Sequence, residues 1–469
     1  MKVESGCPHP EEPQQATCCV HVSADHDLAL ARRFTGNGTE TIWLCAECGP
    51  TPVYKLELRS VCTPCGRDIG PHVGSDVRAL GEPEVLVRET KMQFEHETRS
   101  VGLDTAVLIG LAPVPRRAGK WIGVTEAGAV VLVDLENRTS AELLQLGDPA
   151  AGLFGDHVYP AEVREKVEFF EQYGAASQSS SSGHPQWQLG SALAAELPIL
   201  VLPSPDGDLI AICNRWGRYG VIVEAATGRV VMALDRGDYH PGQTEFPVAW
   251  VENASCLHVV HGTAWNRLDV TDPRTGVLMT DRHPTSYERG ETRPAHYLDY
   301  FHGRLTVSPG QDRIVEDGWV WHPVGVVTAW SLDAWFESNV WESEDGGSLR
   351  RLCDRSYFWD SPICWVDETV VAVWGLGDDD DWMVPGVRVF DAKSGDEKRA
   401  FAGPLGHLVF DRRLFAYSTA FGTSVWNVET GERLLDDPDL RPLGYHPLDR
   451  QFLSRVGGDF RVSRLQQDA

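Results

Sequence analysis

Apolar residues along most of this chain recur at every second position, in short runs broken by Gly, Pro, Asp and Asn. Residues 106–111, 121–125 and 130–134 set the pattern, and residues 209–213, 256–260, 369–374 and 413–417 repeat it. Strict alternation puts one face of a strand on a core and the other on polar surroundings, so these runs predict antiparallel strands joined by tight turns. One segment departs from the period. Residues 160–173, PAEVREKVEFFEQY, place Val163, Val167, Phe170 and Tyr173 at helical spacing behind Pro160, a favourable first helical position for proline. The run SQSSSSG at 177–183 follows and reads as a flexible loop. Residues 148–190 are therefore expected to form a helical and Ser-rich insertion between groups of strands.

The alternation carries a repeated grammar. Residues 387–401, VRVFDAKSGDEKRAF, run from a strand through Asp and a Ser-Gly turn into a second strand, and residues 424–435, SVWNVETGERLL, do the same with Asn and Thr-Gly. Further copies begin near Val131, Val221 and Arg267, a degenerate one near Val326 has Asp333-Ala334 in place of Thr-Gly, and a truncated one begins at Asp459. Ser204-Pro205-Asp206-Gly207 and Ser308-Pro309-Gly310-Gln311-Asp312 precede such copies as turns between earlier strands. A strand–turn–strand unit recurring at roughly 40–50 residues is the signature of a propeller blade. We therefore expect an all-β fold, a seven-bladed β-propeller over residues 84–469 preceded by a small N-terminal zinc-binding domain. The last copy is followed by no outer strand, so a strand at about residues 84–96 is expected to close the ring, removing exposed edges.

The same region resembles the WD40-like propellers in a divergent form. Gly406-His407 stands where that family has its Gly-His dipeptide, and Trp426-Asn427, followed by Thr-Gly, where it has Trp-Asp. The resemblance implies four-stranded blades in a ring.

Composition narrows the function classes. The 469 residues are 42% hydrophobic and 23% charged, ordinary for a globular protein, and repetition lets a propeller exceed the usual domain size. The net charge of −26 comes without any Lys/Arg cluster, which argues against nucleic acid and anionic membrane as partners. The N-terminal residues are polar, with no apolar core of signal-peptide length, and no apolar run approaches a membrane span. The expectation is a cytoplasmic protein whose 11 cysteines are not a disulfide framework.

Seven of those cysteines, Cys7, Cys18, Cys19, Cys45, Cys48, Cys62 and Cys65, fall in the N-terminal segment. Residues 1–16 read as a disordered tail and residues 17–80 as a separate domain. Cys45-Ala46-Glu47-Cys48-Gly49 and Cys62-Thr63-Pro64-Cys65-Gly66 are two C-x-x-C knuckles, each followed by glycine. Two thiolates on one tight turn can face a single Zn²⁺, and a second knuckle completes a tetrahedron. Residues 45–66 resemble a zinc ribbon, and structural zinc held by Cys45, Cys48, Cys62 and Cys65 is the expected cofactor. Cys18, Cys19 and His21, with Cys7, His9 and His72, form a second candidate ligand group, and Cys19 and His21 joining Cys45 and Cys48 is an alternative site. Two complete knuckles imply a closed site without the open position that catalysis needs.

Other chemistry is sparse. The acidic run at 378–381 lacks calcium-loop grammar and reads as a solvated turn. No G-x-S-x-G, phosphate loop or dinucleotide fingerprint appears in a suitable context. Among the 16 tryptophans, Trp250, Trp265, Trp319, Trp321, Trp330, Trp365, Trp374 and Trp426 fall at strand positions and suit the core, whereas Trp216, Trp341, Trp359 and Trp382 suit an exposed rim. The leading functional expectation is a non-enzymatic interaction scaffold binding a protein partner. The alternative is an enzyme or small-ligand binder in which Asp360, Asp367 and Asp378 converge on the central funnel.

Overall fold

In a computed structural model, contacts divide the chain into two units, Met1–Val85 and Leu86–Ala469. The structure describes residues 85–146, 197–287, 290–321, 324–356, 358–376 and 384–466, together with four N-terminal strands. The expected insertion at 148–190 and the acidic run at 378–381 lie outside the described residues.

The four N-terminal strands, Gln14–Cys19, Leu30–Gly36, Gly38–Leu44 and Leu58–Cys62, form one sheet. The first runs parallel to the third, with Cys18 opposite Trp43, and antiparallel to the fourth, with Cys19 opposite Leu58 and Gln14 opposite Cys62.

The second unit is a ring of seven sheets. Blade 1 comprises Leu108–Pro113, Lys120–Thr125, Ala129–Asp134 and Thr139–Gln145. Blade 2 comprises Ile199–Pro203, Leu209–Asn214, Tyr219–Glu224 and Arg229–Asp235. Blade 3 has three strands, Val248–Asn253, Cys256–Ala264 and Arg267–Thr271. Blade 4 comprises Phe301–Val307, Arg313–Val320, Val324–Ser331 and Arg350–Ser356. Blade 5 comprises Ile363–Trp365, Val370–Leu376, Val384–Asp391 and Glu397–Ala402. Blade 6 comprises His407–Phe410, Leu414–Ser418, Gly422–Trp426 and Arg433–Asp437. Blade 7 comprises Gly444–His446, Gln451–Val456, Asp459–Gln466 and, as its outer strand, Gln93–Arg99.

An N-terminal strand closes the ring as expected, but it is Gln93–Arg99 and overlaps only the end of residues 84–96. Early in that stretch Val87 makes an isolated bridge, parallel to Arg433 on the outer edge of blade 6, and from Gln93 onward Gln93–Arg99 pairs antiparallel with Asp459–Gln466. The apolar pattern explains the shift: Phe94 is buried against Phe415, Tyr445 and Phe452 between blades 6 and 7, whereas Leu86 and Val87 stay exposed.

The circle is shown by its cores. Val124 and Val130 of blade 1 pack with Ile210 and Val221 of blade 2. Leu209 of blade 2 packs with Phe246 and Val259 beside and within blade 3. Val260 and Ile314 join blades 3 and 4, and Val327 and Val371 join blades 4 and 5. Phe401 of blade 5 meets Trp426 of blade 6 with ring centroids 6.0 Å apart. Finally Leu453 and Phe460 of blade 7 pack with Trp121 and Val133 of blade 1. Every junction buries apolar area, at roughly 25 cal/mol per Å², so no blade is stable without its neighbours.

The repeated Asp or Asn has a mechanical role. Asp391 Oδ1 accepts from the backbone N–H groups of Lys393 (2.9 Å) and Ser394 (3.0 Å), and Asn427 Oδ1 from those of Glu429 and Thr430. Asp134 and Asp272 cap their turns in the same way. Gly228, Gly276, Gly395 and Gly431 have positive φ and donate their N–H groups to the carbonyls four positions back, of Glu224, Asp272, Asp391 and Asn427. In the degenerate fourth copy, Ser331 caps α1, Leu332–Glu337, through the Ala334 N–H, and the outer strand begins only after α2, Glu342–Asp345.

Blade 3 departs from the expected four strands: one antiparallel bridge, Thr271 to Leu278, and side chains occupy the place of the fourth. Thr280 Oγ1 accepts from the Val270 N–H at 2.9 Å, and Arg282 donates to the Leu268 carbonyl at 2.7 Å. Arg282 also pairs with Asp269 and with Glu344 of α2, all three side chains being almost fully buried. The edge groups of Arg267–Thr271 are thereby satisfied without a strand.

Candidate partner-binding face

Antiparallel blades place their first-to-second and third-to-fourth turns on one face of the ring, and their second-to-third turns and inter-blade connections on the other. The first face carries the regular Ser-Pro and Asx turns just described. The second carries irregular loops, and the unusual chemistry gathers there, above blades 3 and 4.

Tyr239 and His240 sit on the connection from blade 2 to blade 3, Trp265 on the second-to-third turn of blade 3, Tyr287 and Tyr297 on the connection to blade 4, and Trp321 on the second-to-third turn of blade 4. These rings form one contiguous cluster. Tyr239 lies 5.1 Å from Trp265 and stacks on Phe301 at 5.9 Å; Trp321 lies 4.6 Å from Trp319 and 5.5 Å from His240; Tyr287 lies 5.1 Å from Tyr297. The base is dry, since Phe301 and Trp319 are buried, but Tyr239 (45%), Tyr287 (42%) and Trp321 (38%) remain exposed.

Buried polar bonds fix the loops that carry the rings. The fully buried Arg236 guanidinium donates to the carbonyls of Gly217 (2.9 Å), Thr244 (2.8 Å), Glu245 (3.1 Å) and Pro241. This holds the loop after Tyr239 to the body of blade 2. His302, beneath Trp265, receives the Thr244 hydroxyl on its carbonyl at 2.6 Å and meets Glu316 through Nδ1 at 2.8 Å. Trp359 donates to the Gln243 carbonyl at 2.9 Å.

A cavity of about 300 Å³ lies at the ring's centre, lined from the first strands of several blades. Leu111, Leu200, Phe246 and Leu443 line it, and Glu245 accepts from both Arg215 (3.0 Å) and Arg304 (2.7 Å) across it. One carboxylate thus holds two guanidiniums at the cavity wall. The carboxylates expected to converge there do not meet. Asp360 lies on a blade 4–blade 5 connection, where Oδ1 accepts from the Glu245 N–H at 3.1 Å, whereas Asp367 caps the first-to-second turn of blade 5, on the opposite face. Asp378 lies outside the described residues.

The expected rim tryptophans are reordered. Trp216, Trp341 and Trp359 are half-buried, and Trp341 is stacked under His296 at 4.2 Å, while Trp382 lies outside the described residues. Trp321, assigned by its alternation to the core, is the exposed one. It follows the end of Arg313–Val320 and precedes His322-Pro323, a turn signal that should have outweighed periodicity.

Of the expected metal ligands, Cys18, Cys19 and Cys62 fall in described strands, whereas Cys45, Cys48, Cys65 and His21 lie outside the described residues. Among the described residues, no His, Cys, Asp and Glu side chains group in a way that would hold a metal ion. The described Cys213, Cys353 and Cys364 are buried free thiols, and burial pushes each thiol up. No described helix is long and apolar enough to cross a membrane.

No protein-family model matches this chain, and no curated protein matches it. Among solved structures, the WD40 repeats of RRP9 are similar, at 10% identity and a TM-score of 0.44, covering 82% of this chain and 100% of that one.

Proposed function

We propose that this protein is a non-catalytic interaction scaffold whose propeller docks a protein partner on the aromatic face of blades 3 and 4. The observation that carries the reading is the exposure of Tyr239, Tyr287 and Trp321 over a rigid, buried aromatic base. Preordered Tyr and Trp rings contribute large contact area with little loss of side-chain freedom, which is why they anchor interfaces. The separation of Asp360 from Asp367 supports binding over catalysis. The test is site-specific photo-crosslinking in an extract of the native cell. A crosslinker at position 239 or 321 should capture a discrete protein and one at Arg412, on the opposite face, should not. Capture only from the opposite face, or from neither, overturns the reading.

The N-terminal unit is proposed to hold one structural Zn²⁺. The C-x-x-C spacing supports Cys45, Cys48, Cys62 and Cys65 as ligands. The competing group is Cys18, Cys19 and His21; the strand register sets Cys62 three residues along its strand from the rung of Cys18, roughly 10 Å, which separates the two sets. Metal analysis of the full chain decides: loss of zinc in Cys62→Ser with retention in Cys19→Ser assigns the first set, and the converse the second.

A further inference from the structure

We infer that the aromatic face of blades 3 and 4 selects a cationic protein segment, one presenting Lys or Arg side chains to the rings of Tyr239 and Trp321. The inference rests on the docking reading above and adds to it the chemistry of the occupant. Three observations carry it.

The loops that present the rings are acidic. Asp238 adjoins Tyr239, and Glu291 and Asp299 flank Tyr297, all exposed. Among the described residues of the same loops, the exposed guanidinium is that of Arg293, which lies over the Tyr297 ring at 4.3 Å, while those of Arg236 and Arg282 are buried.

That contact is the second observation. The face already accommodates an arginine on an aromatic ring supplied by its own chain, and at the edge of the same region Arg282 lies over Trp341 at 5.2 Å. An exposed indole or phenol face bordered by carboxylates attracts a cation through the ring quadrupole and through charge together, contributing about 0.5–2 kcal/mol per contact. Trp321 supplies an indole, the ring type that binds cations best, beside the loop that carries Asp238 and open to solvent.

Third, the chain carries a net charge of −26. Such a field steers cationic partners toward the protein and repels acidic ones. A purely apolar partner is not favoured by an acidic rim, because docking would bury those carboxylates unpaired.

The experiment measures binding of a fluorescent Gly-Ser peptide bearing Arg and Lys, and of its Gln-substituted counterpart, to the full-length protein. The cationic peptide is expected to bind about tenfold more tightly than the Gln peptide at low salt, with the difference shrinking as salt rises. Trp321→Leu keeps apolar bulk but removes the π-face, and it should abolish most of that difference. Asp238→Asn with Asp299→Asn should weaken binding and flatten the salt dependence. Equal binding of both peptides overturns the inference, and so does binding unaffected by Trp321→Leu, which means diffuse attraction to an acidic protein. Binding of an apolar peptide in place of the cationic one overturns the charge assignment while leaving the docking face intact; crosslinking on the opposite face removes the docking reading itself.

Discussion

Asp317 and Arg355 form an ion pair at 2.6 Å between two fully buried side chains, one on the second strand of blade 4 and the other on its outer strand. The other Asp317 oxygen accepts from the Ser361 N–H at 2.6 Å, and Arg355 donates to the Trp374 carbonyl of blade 5. One carboxylate thus ties blade 4 to the connection entering blade 5, beneath the aromatic face.

Removing only the cation should be costly. Arg355→Met leaves a buried carboxylate without its counter-ion, and a loss of about 3–5 kcal/mol is expected in denaturant unfolding. The double variant Asp317→Asn, Arg355→Met should recover much of it. Burial, partly offset by Arg355, holds the Asp317 carboxyl above the usual carboxylate range. A carboxyl raised in the folded state takes up a proton on folding, so its contribution to stability falls as pH rises through that range. The deficit of Arg355→Met should therefore be smaller in mild acid than in alkali, and a pH-independent deficit would refute this account.

Ring closure can be tested away from the partner face. Phe94→Ala removes the aromatic anchor of the closing strand from its contact with Phe452, where the centroids are 5.9 Å apart. The expected loss is about 3–5 kcal/mol. Lys91→Ala, at an exposed neighbouring position, should stay within about 0.5 kcal/mol. Equal effects of the two would mean that the strand contributes little to the ring.

The first copy of the turn grammar holds a stabilising substitution. Arg138 stands where other copies have glycine, with φ 56° in the left-handed region. Arg138→Gly should stabilise the protein by about 1 kcal/mol, since the lost pair with Glu97 is exposed on both sides and contributes little. A lower midpoint in urea is the contrary result.

Acid stability should depend on the same turn. Burial raises the Asp134 carboxyl, but the Asn137 N–H, the Lys120 ammonium and the Asn137 amide outweigh it and lower the group to about 2. The folded value lies below the usual 3.8, so the stabilisation is present above that value and disappears as pH falls from 3.8 toward about 2. Asp134→Asn should cost about 1–2 kcal/mol at neutral pH and progressively less across that acid window. A constant cost across it would show that the charge of Asp134 is not what stabilises the turn.

Much of this architecture was written in local pattern. The third strands coincide with the repeated motif, and in blades 1, 3, 5 and 6 Asp134, Asp272, Asp391 and Asn427 cap the turns that follow using only atoms within a few residues, while Gly276, Gly395 and Gly431 supply the left-handed backbone angle. Alternation likewise marked the strands, since one buried face enforces period two wherever it occurs. What the tertiary structure decided was everything set by distant partners. The closing strand moved to Gln93–Arg99 because Phe94 fits a pocket built more than three hundred residues later, including Phe415 and Phe452. Blade 3 could omit its outer strand because Thr280 and Arg282 reach back to the edge of Arg267–Thr271. The aromatic face exists because separate loops bring Tyr239, Tyr287 and Trp321 together. Hydrogen-bonded turns and strand periodicity are short-range and leave their mark in adjacent letters; which side chain stays exposed depends on what the rest of the chain fails to cover.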